Sequence, residues 1–449
     1  MPHPLEKAGE GGQLNLRIAK AAPAVLMACV LTACSSDSGD GPSHTSESPS
    51  PNKVAGISVP TTYDNSQGWQ ERVTPGGLDG AVPLTTAPRN HLVTYLDSTG
   101  DGYVIKARDE KTGKLRWRSR PWTPPVPEES QTETGDAPPP HLAVVTSGDA
   151  EYVVAYAYGE KQADELSPAR EVVEVVSYRA DSSGQAVAPL KTTAVSVSGE
   201  PDRINADGSG VVIAEFDRVS TVDVATGRTR EYESCDTCEK AGDAFAMVDK
   251  GLVVSSPASG YEVLGAWDGE DTVPDGYRDG YGNAIAVTED YVIGTWDHLD
   301  VGHPARWVVH DARSGAVVAD MPCSPPEGTG TANPTFYTPS VSANGRYLVV
   351  GTGAFDLKSK KGYCFEGTDE RNPIELLTVD DNGVAYGVSV PTDDSEPRPQ
   401  VQVPLKTAVP RLAPDGATMP AANSAEYGYF IAPTGSGKLA LGLIAYPHR

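Results

Sequence analysis

One short pattern recurs along the chain and constrains its fold more than any other feature. An apolar strand runs into a turn of Asp, Ser or Thr that ends on a glycine. The glycines that end the copies are Gly113, Gly184, Gly227, Gly269, Gly315, Gly383 and Gly437. They are 71, 43, 42, 46, 68 and 54 residues apart, a period typical of four-stranded repeat units with insertions in the longer intervals.

Between these turns the sequence consists of short β-branched runs, such as EYVVAYAY from Glu151 and RYLVVGTG from Arg346. Period-two alternation of this kind is typical of strands, so we expect an all-β chain. Blades arranged in a ring avoid one oversized core, which favours a β-propeller over residues 54–449. We expect seven blades, with six or eight as alternatives, and residues 54 to about 73 completing the last blade.

The best-preserved copy reads Val104-Ile-Lys-Ala-Arg-Asp-Glu-Lys-Thr-Gly-Lys-Leu-Arg-Trp117. It resembles the PQQ-type β-propeller repeat, in which a strand, a D-x-x-T-G turn and a following tryptophan recur in each blade. Asp223-Val-Ala-Thr-Gly227 and Asp311-Ala-Arg-Ser-Gly315 repeat the turn without the tryptophan. The resemblance covers most of residues 80–445 and implies propeller architecture.

The same resemblance argues against a quinone cofactor. PQQ-dependent dehydrogenases carry adjacent cysteines in a vicinal disulfide, tryptophans that dock most blades, and a calcium-bound quinone. This sequence has no Cys-Cys pair, and Trp117 is the only tryptophan that the pattern places at the docking position. We therefore expect no cofactor.

The N-terminus has the layout of an export signal. Arg17 and Lys20 precede 13 residues, 21–33, that are apolar apart from Thr32 and are too few for the roughly 20 that span a bilayer. They end in Leu31-Thr32-Ala33-Cys34, which resembles the bacterial lipobox. We predict a signal peptide over residues 1–33 and lipid on Cys34. The alternative is an ordinary secretory signal with an incidental cysteine.

Residues 34–53 contain no large apolar side chain and should form a disordered tether. Removing residues 1–33 takes three of 36 basic and two of 61 acidic side chains, which leaves a formal charge of −26. This charge repels nucleic acid and anionic headgroups, so the membrane contact is expected through the lipid alone. The composition, poor in lysine, is typical of a high-GC actinobacterium, where the anchor would lie in the outer leaflet of the cytoplasmic membrane.

Four cysteines remain besides Cys34, and an even number in an oxidising compartment suggests disulfides. Cys235 and Cys238 have the C-x-x-C spacing of redox and zinc sites, which stay alternatives. Acidic neighbours disfavour the thiolate that both uses need, so we expect a structural loop disulfide. Cys323 and Cys364 form the second expected pair, which would stabilise the fold by about 4 kcal/mol.

Three patterns are candidates for a cation site, and each has a simpler interpretation. Asp97-Ser-Thr-Gly-Asp101-Gly102 resembles the start of a calcium loop, but Arg108 occupies the twelfth position, so a hairpin turn is expected. An acidic run over residues 268–279 could hold calcium on one rim or form a solvated loop. His298, His303 and His310, near Asp297, Asp300 and Asp311, could ligate a metal, but the sequence does not place them on one face. We assign no metal site.

Catalytic motifs fail at required positions. Gly435-Ser-Gly-Lys438 lacks the other residues of a phosphate loop, and no G-x-S-x-G elbow is present. The catalytic residues are therefore unknown, and a noncatalytic binding or scaffold module for an envelope protein or glycan is the leading hypothesis, because loops on a rigid ring suit recognition. The alternatives are an envelope enzyme (a lactonase-like or lyase-like hydrolase, or a PQQ-type dehydrogenase) with its site at the central channel, and a sensor domain.

Replacing Cys34 with Ala should leave an unprocessed precursor without an acyl label, because the lipid is attached to the cysteine sulfur. Fatty-acid labelling and detergent partitioning measure both properties. A variant that still matures and still partitions into detergent would contradict the anchor.

Overall fold

The computed structural model describes residues 56–76, 82–100, 102–127, 139–163, 168–216, 218–233, 243–256, 260–298, 303–323, 337–391, 397–434 and 441–449. The regular elements in these ranges are 32 β-strands and two 3-10 helices, Pro88–Asn90 and Glu270–Thr272. Within the same ranges no helix is long and apolar enough to cross a membrane. The protein is all-β, as the alternating sequence predicted. Cys34, Cys235 and Cys238 lie outside the described residues.

The described strands group into eight antiparallel meanders, which we number as blades 1 to 8. The first strand, β1 (Trp69–Val73), belongs to blade 8. Blade 1 contains β2 (Leu84–Ala87), β3 (Leu92–Thr99), β4 (Gly102–Asp109) and β5 (Leu115–Ser119). Blade 2 contains β6 (His141–Ser147), β7 (Ala150–Lys161), β8 (Arg170–Arg179) and β10 (Lys191–Ser196), while β9 (Gly184–Val187) lies parallel to β5. Blade 3 contains β11 (Arg203–Asn205), β12 (Val211–Ala214), β13 (Arg218–Val222) and β14 (Thr229–Glu233).

Blade 4 has three strands in the described ranges, β15 (Asp243–Val248), β16 (Gly251–Ser256) and β17 (Gly260–Val263). Blade 5 contains β18 (Tyr277–Val287), β19 (Tyr291–His298), β20 (Arg306–Asp311) and β21 (Val317–Pro322). Blade 6 contains β22 (Ser340–Val341), β23 (Tyr347–Val350), β24 (Gly353–Asp356) and β25 (Lys361–Cys364). Blade 7 contains β26 (Ile374–Val379), β27 (Val384–Ser389), β28 (Gln400–Pro404) and β29 (Arg411–Leu412). Blade 8 contains β30 (Ala422–Asn423), β31 (Tyr427–Pro433), β32 (Leu441–Pro447) and β1.

The blades close into a ring through the two ends of the described chain. Strand β1 pairs with β32 in antiparallel register, from Trp69 opposite Ala445 to Val73 opposite Leu441. An N-terminal strand thus supplies the outermost strand of the last blade, as expected for residues 54 to about 73. The fold is a β-propeller.

Apolar side chains between the blades form the core. The buried residues divide into eight clusters, and each cluster joins two consecutive blades, including blade 8 with blade 1. Val154 of blade 2 and Val211 of blade 3, for example, share one cluster and are fully buried. Strands bury both faces in this arrangement, which explains their nearly continuous β-branched composition.

The described residues form one blade more than the seven that we favoured, and eight was among the alternatives. Blade 6 was not counted because its turn from the third to the fourth strand lacks glycine. It reads Asp356-Leu-Lys-Ser-Lys360, and Lys360 adopts the left-handed conformation, with φ of 57°. Ser359 still donates its backbone N–H to Asp356 Oδ1 at 3.3 Å, so the turn geometry persists with a different residue.

Among the described residues, three tryptophans dock their blades by donating to a backbone carbonyl of the next blade. The indole N–H groups of Trp69, Trp117 and Trp267 donate to the carbonyl oxygens of Glu110, Ala180 and Ala312 at 2.9, 2.9 and 3.1 Å. The expectation that Trp117 alone docks was therefore wrong. Trp69 comes from the distant N-terminal strand and Trp267 follows a three-stranded blade, so neither stands four residues after a turn glycine as Trp117 does.

A disulfide fastens blades 5 and 6 to each other. Cys323, just after β21, bonds to Cys364 at the end of β25, with 5.5 Å between the Cα atoms. Next to it, Asp320 and Lys361 pair in parallel, which joins the outer strands of the two blades into one eight-stranded sheet. The second cysteine pair predicted from the sequence thus links neighbouring blades.

Gly113→Ala should destabilise the protein more than Gly345→Ala, although both glycines have φ near +65°. A left-handed alanine costs about 1 to 2 kcal/mol at either position. At Gly113 the added Cβ would also lie 2.6 Å from the Trp69 ring, whereas nothing lies within 4 Å at Gly345. We expect roughly 2 kcal/mol of additional loss at Gly113, measured by urea unfolding. Equal losses would contradict a stabilising role for the docked tryptophan.

Candidate functional site in the central channel

The first strands of the blades line a central channel. Two adjoining cavities of about 390 and 380 Å³ open there, with walls from blades 1, 2, 3, 5, 6 and 8. Small hydroxyl and aliphatic side chains form much of the lining, including Thr86, Val144, Thr288 and Val341. Because these side chains are short, they leave a channel of a size typical for small-molecule sites.

One ion pair crosses this channel. The Arg89 guanidinium of blade 1 lies 2.5 Å from Glu289 Oε1 of blade 5, and the two blades face each other in a ring of eight. Both residues line both cavities. The pair therefore stands where the two compartments meet.

The backbone around Arg89 is held by a buried carboxylate. Glu151, which is 4% exposed, accepts the backbone N–H groups of Arg89 and Asn90 at 3.1 Å each. It also accepts the Asn90 side-chain amide at 2.8 Å. These bonds fix the 3-10 helix Pro88–Asn90, while the Arg89 side chain stays 45% exposed.

Asp207 places a second carboxylate in the channel wall. It follows β11 and receives one side-chain contact, from the Asn205 amide to its Oδ2 at 3.3 Å. Burial raises the pKa of its carboxyl group to about 6. None of the ion pairs found among the described residues includes it.

Carboxylates surround one mouth of the channel. In six of the eight blades the turn from the first to the second strand carries an acidic residue. We call this set the acidic collar: Asp149, Asp207, Asp249, Glu289, Asp290, Asp381 and Glu426. Lys111 lies 3.3 Å from Glu426, and Arg313 lies 3.6 Å from Asp249, so collar carboxylates already accept basic side chains.

The histidines considered as metal ligands do not come together. The rings of His298 and His303 stack with centroids 4.4 Å apart at the turn from β19 to β20. His310 lies at the other end of blade 5, fully buried against Trp267, with Nδ1 2.8 Å from the Gly315 carbonyl. Desolvation lowers its pKa to about 4, so it is a neutral core residue.

The acidic run of residues 268–279 does not form one rim. Its first residues follow Trp267 at the collar end, and Tyr277 opposite His298 lies at the far end of blade 5. The run therefore passes from the collar end to the far end along the outer edge of the ring. A fourth strand of blade 4 would occupy this position. Asp97, the first residue of the calcium-like pattern, forms an ion pair with Lys106 at 2.7 Å.

No metal site assembles in the described part of the chain beyond one group of three donors, Cys323, Cys364 and Glu366. Its two sulfurs are joined as the disulfide. Cys34, Cys235, Cys238, Asp300 and residues 435–440 lie outside the described ranges.

The sequence analysis missed Arg89, Asp207 and Glu289. Each of them lies just ahead of the second strand of its blade, at the turn that borders the channel. Aligning the first turns of the blades could have shown the recurrent acidic position. Most of the glycine-ending turns connect the third and fourth strands at the ring edge and therefore do not point to the channel.

Comparison with known proteins does not assign this chain to a family. No protein-family model matches the chain, and no curated protein matches it in sequence. The solved structure of Kluyveromyces lactis Hsv2 is similar with a TM-score of 0.32 and 10% identity, covering 74% of this chain and 98% of that one. The Neurospora crassa Pan2 WD40 domain is similar with a TM-score of 0.33 and 8% identity, covering 84% and 89%.

His310→Phe should flatten the loss of stability in acid. Between pH 6.5 and about 4 the unfolded chain binds a proton that the buried imidazole does not, so folding is weakened as pH falls through this window, by up to about 3 kcal/mol. Phenylalanine does not titrate, so the variant lacks this pH-dependent loss of stability. Its free energy of unfolding relative to the wild type should therefore rise by that amount between pH 7 and pH 4. Parallel curves in urea titrations would contradict a neutral buried His310.

Proposed function

We propose that this chain is an extracytoplasmic lipoprotein, held to a membrane through Cys34, whose propeller is a noncatalytic binding or scaffold module for an envelope protein or glycan. A β-propeller is consistent with this role, because its packed ring holds turns in fixed positions. The D-x-x-T-G turns and the three docked tryptophans support assigning the repeat to the PQQ-like class.

The acidic collar is the observation that carries this proposal. Its tips Asp149, Asp249, Asp290 and Glu426 are exposed and stand on rigid hairpins around one channel mouth. Arg89, Lys111, Lys250 and Arg313 are the basic side chains in or paired with these turns, and they are fewer than the seven collar carboxylates. A ring of exposed carboxylates favours a partner with a basic surface and speeds its association.

The described chain enters the propeller beside the collar. Tyr63 bridges to His448, and the backbone N–H of His448 donates to the Glu426 carbonyl at 2.9 Å. The N-terminal segment that would follow the tether therefore passes the collar face at Tyr63. This placement favours a partner that is itself bound to the membrane.

Replacing collar carboxylates should weaken capture of the partner. The variant Asp149→Asn with Asp290→Asn removes two exposed charges from turns on blades 2 and 5. The control, Glu200→Gln with Asp202→Asn, removes two exposed charges from the connection between blades 2 and 3. After cross-linking in cells with the lipidated form, we expect the collar variant to lose most of the captured partner and the control to retain it.

Added salt should weaken the same capture, because screening limits exposed charges to about 8 Å at physiological ionic strength. Equal capture by both variants would contradict the collar as the contact surface. Turnover of a lactone, sugar or alcohol that a single channel substitution abolishes would contradict a noncatalytic role.

A further inference from the structure

Among the described residues no cation pairs with Asp207 of the channel, whereas Glu289 has one that can be exchanged. Asp207 has the Asn205 amide as its side-chain partner. Glu289 is bound by Arg89, whose guanidinium makes one other contact, a long 3.5 Å bond to the Gly148 carbonyl. Since the backbone of Arg89 is fixed by Glu151, its side chain can swing away without moving the helix.

Arg89 itself indicates what the channel can bind. Its guanidinium is a cation on a flexible aliphatic stem, and it is seated across the cavity on Glu289. An added ligand with the same chemistry would replace this internal cation at Glu289 and would also reach Asp207. Asp207 and Glu289 line the same cavity of about 380 Å³ but come from blades 3 and 5, which are not neighbours.

The lining of this cavity also includes apolar side chains, which suit a methylene chain. Val144, Val287 and Val341 line this cavity together with threonine side chains. A metal ion fits less well, because no three carboxylate, histidine or cysteine donors of the described channel lie within 4.8 Å of one another. An extended cation with two separated charges can contact carboxylates that come from two blades that are not neighbours.

We propose that the central channel binds an aliphatic polyamine, with one ammonium group on Asp207 and another on Glu289 in place of the Arg89 guanidinium. This site uses the two collar carboxylates that line the channel, whereas the proposed partner surface is formed by exposed collar tips such as Asp149 and Asp290, and it does not require the lipid anchor. Polyamine binding and partner capture can therefore fail independently.

Calorimetric titration of the full-length chain with spermidine, at fixed ionic strength, tests this site. We expect saturable binding of one spermidine per chain. Asp207→Asn should weaken it at least tenfold, since an amide cannot pair with an ammonium group. Arg89→Gln should strengthen it several-fold, because the internal competitor is removed while the backbone bonds to Glu151 persist.

The opposite responses of these two variants separate a binding site from a structural effect, which would weaken both. The control Glu200→Gln with Asp202→Asn removes two negative charges outside the channel, one more than Asp207→Asn removes, and should change the affinity less than twofold. Thermal melting checks that each variant is folded, and Arg89→Gln provides the test if Asp207→Asn unfolds. Absence of saturable binding, equal weakening in the control, weaker binding by Arg89→Gln, or displacement of spermidine by equimolar calcium would each overturn the proposal.

Discussion

Apolar packing between consecutive blades is the interaction on which the rest of this protein depends. Each of the eight clusters requires two blades, so no blade buries its faces until both neighbours are in place. The pairing of β1 with β32 closes the last gap. At this closure Tyr386 donates to the buried Asp380 at 3.0 Å and bonds Thr62 at 2.7 Å, so polar contacts also hold the N-terminal segment in the ring.

A closed ring determines where charged groups meet. Arg89 and Glu289 are 200 residues apart, and they touch because blades 1 and 5 stand opposite each other. The surrounding β-structure, the docked tryptophans and the disulfide between blades 5 and 6 limit how far the walls can move. A carboxylate such as Asp207 is thereby kept in a partly desolvated position, where its interaction with a cation is stronger than in bulk water.

The exposed tips of the collar and the carboxylates inside the channel suit different kinds of ligand. Exposed turn tips such as Asp149 are screened by solvent, so they favour steering and reversible contact with a large partner. Asp207 and Glu289 lie deeper, where a small ligand can be enclosed. One acidic position, repeated at the first turn of successive blades, thus supplies both a collar and an internal site.

The sequence by itself determined the all-β class and the repeating turns, because strand alternation and turn chemistry are local properties, and the count of cysteines indicated the pairing of Cys323 with Cys364. It missed blade 6, whose turn uses Lys360 in place of glycine, and it did not place Trp69 beside Glu110. Tertiary structure alone brought Arg89 to Glu289 and separated His310 from His298. Those distances depend on the number of blades and on ring closure. Both are properties of the whole chain, so a short window of sequence does not reveal them.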